Sequence, residues 1–317
     1  MAQLLHHPAL RDRLRRMRPV YNAVFRRKRN YERRPKPVDW LKSMDGRGVF
    51  LLCYGRSGST VFADFLATHP QVITFGEVLG EESYHSYFQW LSRGVLRVWP
   101  LRPSLMEQEF YRFCAKLVGK DPRMRGLFDI KIESLHLVEG NWRMPGPDFH
   151  LFHHLRDAGA PVILLTRRDL VARYVSGQVA ERRGAYHSYH GASGEIDPFE
   201  IDLAAIRAQV VQIDATHATI RKIFAGQPNF VELAYEDLFV PDPDGPEGHT
   251  RFAPGLSERM ARLMGVDDRF DSVPKLQKVS GGKGYGGVVT NWAAVQAYRE
   301  EVLARSASGP GSGATEG

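Results

Sequence analysis

The sequence predicts an α/β fold: a P-loop-like, three-layer domain in which helices flank a central, mainly parallel sheet. Between residues 46 and 305, short apolar runs alternate with longer segments of helical periodicity, and glycine, proline or polar clusters separate them. A short, uniformly apolar run is typical of a strand that is buried on both faces. Strand–helix alternation implies right-handed crossovers, and ligands then bind beyond the carboxyl ends of the strands.

Four segments have the composition of strands: Gly48–Tyr54, Gly126–Ile132, Pro161–Leu165 and Asn229–Leu233. The main helices are predicted at Val61–His69, Ser104–Val118, Asp148–Ala158, Arg168–Arg182, Asp197–Phe224 and Asn291–Ala304. Asp197-Pro198 pairs a capping residue with a proline suited to the first turn. Residues 1–45 are predicted to form a basic amphipathic arm and linker, residues 46–305 the domain, and residues 306–317 a flexible tail.

The net charge of +7 on the 317 residues belongs to the N-terminal arm. Residues 10–36 contain 12 Lys+Arg and two acidic residues, which leaves 31 basic and 34 acidic residues elsewhere. Apolar residues recur at helical spacing among these arginines. The favoured alternatives are a helix docked on the domain and a helix adsorbed on an anionic membrane surface. A nucleic-acid-binding or targeting segment stays open for the arm, but no nucleic-acid partner is expected.

Two cysteines, Cys53 and Cys114, lie in an apolar run and in a helical pattern. Two such residues cannot form a disulfide framework, so we expect buried free thiols in a reducing compartment. The chain has neither an apolar run of membrane-spanning length nor the apolar centre of a secretory signal. The expected location is cytoplasmic, at the inner membrane face if the arm adsorbs there.

The loop Gly55–Thr60 (GRSGST) joins the first strand to the first helix. A glycine- and hydroxyl-rich turn at this place directs backbone N–H groups and the positive end of a helix dipole to one point, which suits a phosphate or sulfate group. Gly58 permits close backbone approach, and Arg56 adds a cation. The spacing differs from the ATP-binding loop, which needs four residues between its glycines and a Lys-Ser/Thr pair after the second. A turn that only caps its helix is the structural alternative.

A second pair, Arg168 and Ser176, follows the third strand. Arg168 would lie at the carboxyl edge of the sheet, and Ser176 about two turns into the next helix. A guanidinium and a hydroxyl in these places can bind one small anion together. For Arg167 and Arg173, solvated and ion-paired positions both stay open.

Together these motifs resemble the sulfotransferases that use 3′-phosphoadenosine-5′-phosphosulfate (PAPS), most closely the bacterial carbohydrate enzymes of the nodulation-factor and trehalose type. The resemblance covers roughly residues 46–304 and includes His69-Pro70, Gly76-Glu77 and Tyr235-Glu236-Asp237-Leu238. It implies that Arg56, Ser57, Gly58, Ser59 and Thr60 hold the 5′-phosphosulfate. It further implies that Arg168 and Ser176 hold the 3′-phosphate, with Lys278 and Lys283 of a later glycine-rich loop.

The same resemblance assigns the reaction roles. Glu77 is the expected base, Arg56 would contact the sulfonate and the leaving oxygen, and Lys131 would assist at a strand end. The alternatives are a helix-capping role for Glu77, a salt-bridged role for Lys131, and another base among Glu81, Glu82, His136, His187 and His190. Tyr186 and His187 are expected to contact the acceptor or the donor. A metal is not required, because the sulfonate carries a single negative charge.

The predicted function is therefore transfer of a sulfuryl group from PAPS to a hydroxyl of a carbohydrate or glycolipid. Two other functions stay open: a P-loop-like nucleotide-dependent kinase, and a non-catalytic protein that binds a nucleotide or an anion. The sequence predicts neither the particular acceptor nor the oligomeric state.

Overall fold

The computed structural model describes residues 37–80, 83–94, 103–139, 148–183, 196–243, 249–271, 273–274 and 285–307. Its central sheet contains β1 (Gly48–Cys53), β2 (Val72–Glu77), β3 (Arg125–Lys131), β4 (Val162–Thr166) and β5 (Phe230–Ala234). The strand order is β2-β3-β1-β4-β5, and every neighbouring pair is parallel. A small antiparallel hairpin follows, made of β6 (Phe239–Pro241) and β7 (Thr250–Phe252).

The described helices are numbered in chain order. They are α1 (Pro37–Ser43), α2 (Ser59–Leu66), α3 (Tyr87–Gly94), α4 (Pro103–Val118), α5 (His136–Glu139), α6 (His150–Ala158), α7 (Leu170–Arg183), α8 (Leu203–Ile223), α9 (Leu256–Met264) and α10 (Trp292–Ala307). Among the described residues, no helix combines the length and the apolar character needed to cross a membrane.

Helices cover both faces of the sheet, which confirms the predicted three-layer α/β class. Alternate residues of β1 point to opposite faces, because side chains alternate along a strand. Leu51 and its neighbours on one face pack against Phe62 and Phe65 of α2 and Met260 of α9. Phe50 and the other face belong to a larger core that includes residues of α1, α4, α6, α7, α8 and α10. Both cysteines are buried and unpaired, as predicted.

The four predicted strands are present, but the prediction missed β2, which reaches the sheet edge and ends at Glu77. The long helix begins at Leu203 rather than at Asp197. Asp202 caps it by accepting hydrogen bonds from the N–H groups of Ala204 (2.8 Å) and Ala205 (3.1 Å). The residues before Asp202 are extended instead, and Phe199 bridges to Val289.

The domain also begins earlier than residue 46. Residues 37–43 form α1 rather than linker, and Leu41 and Met44 are buried in the larger core. Leu41 and Met44 pack in this core because the segment predicted as linker has apolar residues on one side. The rest of the basic arm, residues 1–36, and the tail from residue 308 onward lie outside the described residues.

Candidate anion and group-transfer site

The loop after β1 lies where the connection reverses direction across the sheet. β2 and β3 lie on one side of β1, and β4 and β5 on the other. This is the switch point at which open α/β sheets bind ligands, beyond the carboxyl ends of the strands. Five of the predicted site residues come together at this edge in two contact networks: Arg56, Ser59, Glu77, Lys131 and Ser176.

The loop holds a conformation that the glycines and neighbouring side chains determine. Arg56 has a φ of 64° and Gly58 a φ of 85°, both in the left-handed region. A Cβ on Gly58 would lie 2.2 Å from Cδ2 of Tyr235, so that position has no room for a side chain. Gly58 precedes α2 without a side-chain cap, which leaves the first N–H groups of α2 available to an anion.

The first network joins the loop to α7. Nε and Nη2 of Arg56 donate to Oγ of Ser176 at 3.2 and 3.1 Å. The two residues are 120 positions apart and belong to the two motifs that predicted the anion site. A guanidinium and a hydroxyl therefore meet beside the loop.

Two further arginines donate hydrogen bonds to carbonyl groups of the loop. The sequence alone does not decide whether either arginine belongs to the site. Arg167 Nη1 donates to the carbonyl of Arg56 at 2.9 Å, and Arg173 Nη1 donates to the carbonyl of Gly55 at 2.7 Å. Nε of each is buried and has no hydrogen-bond partner within the described part of the chain. Burial lowers the pKa of Arg173 from its ordinary value, although an arginine stays protonated at neutral pH. One buried guanidinium, that of Arg173, and one half-buried guanidinium, that of Arg167, therefore hold the loop carbonyls.

The second network centres on the ammonium group of Lys131, at the end of β3. Its Nζ lies 2.6 Å from Oγ of Ser59, 2.7 and 2.8 Å from the carboxylate oxygens of Asp129, and 3.1 Å from Oε1 of Glu77. Strand register explains this meeting, because β3 pairs Lys131 with Cys53 of β1, and Asp129 with Glu77 of β2. One cation thus connects the first residue of α2 with two strand-end carboxylates.

Burial on its own lowers the pKa of Lys131, but the nearby carboxylates outweigh it and hold that pKa well above its ordinary value. Cys53 also faces the network, and its Sγ lies 3.3 Å from Oδ1 of Asp129. Burial raises the pKa of Cys53 well above its ordinary value, so Cys53 is a neutral thiol there. We therefore attribute the effect on Lys131 to Asp129 and Glu77.

The two carboxylates differ in their access to solvent. The side chain of Asp129 is 6% exposed and that of Glu77 is 41% exposed. Both oxygens of Asp129 lie within 2.8 Å of the Lys131 ammonium. Glu77 has the longer contact, at 3.1 Å, and is the more exposed of the two carboxylates. It ends a strand, so the alternative in which it caps a helix is wrong.

Arg168 and Ser176, which the sequence predicts to bind one anion together, have different partners within the chain. Nη2 of Arg168 forms an ion pair with Asp237, and its backbone N–H donates to Oε2 of Glu236 at 3.1 Å. These acids belong to the motif at residues 235–238, which is part of the resemblance. Ser176 is instead the partner of Arg56.

Some of the remaining predicted residues are described by the structure, and others lie outside its described part. Among the described ones, Ser57 is buried in the loop and Thr60 lies in the first turn of α2. Nδ1 of His136 lies 2.8 Å from the carbonyl oxygen of Glu133. His69 is buried and bonds Asp267 at 2.9 Å, so its role is structural. The other predictions concern residues outside the described part of the chain: Glu81, Glu82, Tyr186, His187, His190, Lys278 and Lys283.

Sequence reasoning missed Asp129 and gave no role to Glu133, whose Oε1 accepts the N–H of Gly55 at 2.7 Å. Acidic residues in the GLFDIKIE segment were the available signal for both. Comparison with models of known protein families gives no match, and no curated protein has a similar sequence.

Proposed function

We propose that this protein is a sulfotransferase that moves the sulfuryl group of PAPS to a hydroxyl of a carbohydrate or glycolipid. The observation that carries the proposal is the convergence at one sheet edge of Arg56 with Ser176, and of Lys131 with Ser59 and Glu77. This edge combines a glycine- and hydroxyl-rich loop whose geometry suits an anion, the cations Arg56 and Lys131, and an outward-facing carboxylate.

The residues around the loop suit a donor with several negative charges. Arg56, Ser57, Gly58, Ser59 and Thr60 would hold the 5′-phosphosulfate through backbone N–H groups, hydroxyls and one guanidinium. The buried, unpartnered Nε atoms of the arginines beneath the loop add positive potential where the donor's negative charge would lie.

Ser176 and Arg168 would bind the 3′-phosphate of the donor. Arg168 is 48% exposed and paired with the 61% exposed Asp237. An exposed ion pair of this kind contributes little to stability, so Arg168 can exchange Asp237 for a phosphate at small cost. Lys278 and Lys283 stay proposed contacts of the same group.

The donor supplies an activated sulfuryl group, and the residues of this chain supply the proton transfer and the charge stabilisation. Glu77 accepts the proton of the attacking hydroxyl. Arg56 and Lys131 stabilise negative charge on the sulfonate and on the leaving oxygen. Asp129 matters here because it balances Lys131 and leaves Glu77 able to act as a base.

Binding of 3′,5′-ADP, the product of the donor, tests the site by isothermal titration calorimetry. We expect Arg56→Ala and Ser176→Ala each to weaken binding by about tenfold or more, because each removes a charge-assisted contact. Arg123→Ala is the matched control, since Arg123 is exposed and precedes β3 at the opposite edge of the sheet. Equal affinity in all four proteins would refute the proposed site.

Titration with ATP and Mg²⁺, together with an assay of sulfuryl transfer, separates the other two functions. Tighter binding of ATP with Mg²⁺ than of 3′,5′-ADP would favour the nucleotide-dependent kinase. Binding of 3′,5′-ADP without transfer to any acceptor would favour the non-catalytic protein.

A further inference from the structure

Side chains with metal-ligating atoms meet on the other face of the sheet, between α4, α5 and α6. Glu107 belongs to α4, Glu139 ends α5, and His150 begins α6. One ligand atom from each of the three lies within 4.8 Å of the other two. The neighbouring Tyr111 belongs to the core cluster that excludes Leu51 and α2, so this group is separate from the Lys131 network.

A second layer of contacts orients the buried carboxylate. Nδ1 of His154 lies 2.9 Å from Oε1 of Glu107, and the hydroxyl of Tyr111 donates to the same oxygen at 3.3 Å. The Tyr111 hydroxyl also lies 3.1 Å from Nδ1 of His154. Hydrogen-bonded partners of this kind fix the orientation of ligating carboxylates in metal sites.

The three side chains differ in burial: that of Glu107 is buried, that of Glu139 is partly exposed, and that of His150 is exposed. The group therefore combines two carboxylates with an imidazole that stands at the surface.

We propose that Glu107, Glu139 and His150 bind a divalent transition-metal ion of the Zn²⁺ class, with His154 and Tyr111 as hydrogen-bond partners of Glu107. Mixed imidazole and carboxylate ligands suit Zn²⁺ better than Mg²⁺ or Ca²⁺, which prefer oxygen alone. Ligand atoms about 2.1 Å from a tetrahedral ion lie roughly 3.4 Å apart, so the three side chains close by about 1 Å when it binds.

Glu139 also has a structural role that the ion does not displace. Its Oε1 accepts the backbone N–H of Leu151 at 3.2 Å, in the first turn of α6, where Phe149 provides no side-chain cap. The ion would therefore hold α4, α5 and the start of α6 together. This inference is independent of the proposed sulfotransferase reaction.

Calorimetric titration of the full chain without an affinity tag, with Zn²⁺ as the probe, tests the site. We expect one equivalent to bind, and His150→Ala and Glu139→Gln each to weaken binding by about tenfold or more. The exposed position of His150 keeps the first variant folded, and the glutamine of the second retains an acceptor for Leu151.

His153→Ala is the matched control, because His153 lies on the same helix but pairs with Asp148 at 2.7 Å. It should bind Zn²⁺ as the unaltered chain does. The proposal is overturned if the chain binds no Zn²⁺, or if His150→Ala and Glu139→Gln bind it as tightly as His153→Ala. Binding of Co²⁺ gives a second readout, because its visible absorption changes with nitrogen and oxygen ligands.

Discussion

The ammonium group of Lys131 lies between the carboxylates of Asp129 and Glu77. How strongly it interacts with each of them determines how Glu77 can act as a base. In Asp129→Asn the ammonium keeps its contact with Glu77 but loses the charge of Asp129. We expect kcat to fall by on the order of tenfold, because Lys131 then holds Glu77 more tightly. The KM for the donor should stay nearly unchanged. An unchanged kcat would show that Asp129 does not position the charge of Lys131.

Glu77 itself provides the more direct test of the base. Glu77→Gln keeps the size of the side chain and its contact with Lys131 but removes the proton acceptor. We expect kcat to fall by about a hundredfold or more, with 3′,5′-ADP affinity preserved, because positioned bases contribute 10²–10⁴. Near-normal turnover in this variant would assign the base to another residue.

Gly58 combines a positive φ with close contact from Tyr235. In Gly58→Ala the left-handed backbone costs about 1–2 kcal/mol, and the clash with the Tyr235 ring adds to it. Urea unfolding should show the loss as a lower midpoint at unchanged m-value. The double variant Gly58→Ala/Tyr235→Ala separates the clash, which it relieves, from the backbone cost, which it keeps. Wild-type stability in Gly58→Ala would contradict both contributions.

At the scale of elements, α7 supports the loop through Arg173. Its guanidinium donates to the Gly55 carbonyl at 2.7 Å and to Oε1 of Gln209 at 2.6 Å, which ties β1, α7 and α8 together. Arg173→Ala should weaken 3′,5′-ADP binding by about tenfold, because the loop loses its support, and Arg173→Lys should restore part of the loss. Arg182→Ala on the same helix is the control. Calorimetry that ranks Arg173→Ala with Arg182→Ala would contradict this role.

The sequence predicts the elements that have uniform apolar composition and misses those that do not. β1, β3 and β4 are buried along nearly their whole length, and each is predicted within one residue of its ends. β2 lies at the sheet edge with mixed burial, so its composition resembles that of a loop. The start of α8 is wrong because Asp197-Pro198 and Asp202 both have capping chemistry, and tertiary contacts of Phe199 select the later residue.

The residues of the candidate site also fall into those that the sequence indicates and those that only the fold brings together. Arg56, Glu77 and Lys131 could be predicted because they stand in motifs at or just after strand ends, and Ser176 because it follows such a motif into the next helix. Asp129 stands in a visible acidic segment, but its role depends on strand register. The roles of Arg167 and Arg173 depend on backbone carbonyls, which the sequence does not place. The sequence also does not predict Asp237 as the partner of Arg168. Arg168 follows β4 and Asp237 follows β5, and the two residues meet because β4 and β5 are neighbours in the sheet.

At the scale of the whole molecule, the buried imidazole of His217 makes stability depend on pH. Burial lowers the pKa of His217 to about 4, and Nε2 has no hydrogen-bond partner among the described residues. Below pH 6.5 the unfolded chain binds a proton at this residue, whereas the folded chain does not until about pH 4. The free energy of unfolding therefore falls as the pH drops through this range, by up to about 3 kcal/mol.

Denaturant unfolding of the unaltered chain and of His217→Gln at several pH values measures this contribution. The difference in stability between the two proteins should favour the unaltered chain most at neutral pH and shrink as the pH approaches 4. A difference that stays constant with pH would show that His217 does not titrate in the unfolding equilibrium.

The charge of the whole chain separates into a basic arm and a nearly neutral body. The positive groups that would hold the donor are local, since Arg56, Arg167, Arg173 and Lys131 all lie around one loop. If the basic arm adsorbs on a membrane, anionic vesicles should bind the full chain but not a chain that begins at residue 37. Co-sedimentation measures this, and equal binding by both forms would contradict the membrane role of residues 10–36.

Transfer of radiolabelled sulfate from PAPS to a panel of oligosaccharides and glycolipids tests directly whether this protein is a sulfotransferase. We expect a labelled product and stoichiometric 3′,5′-ADP with the unaltered chain, and neither with Arg56→Ala or Glu77→Gln. A chain that binds 3′,5′-ADP but labels no acceptor in the panel would contradict the proposed sulfotransferase function.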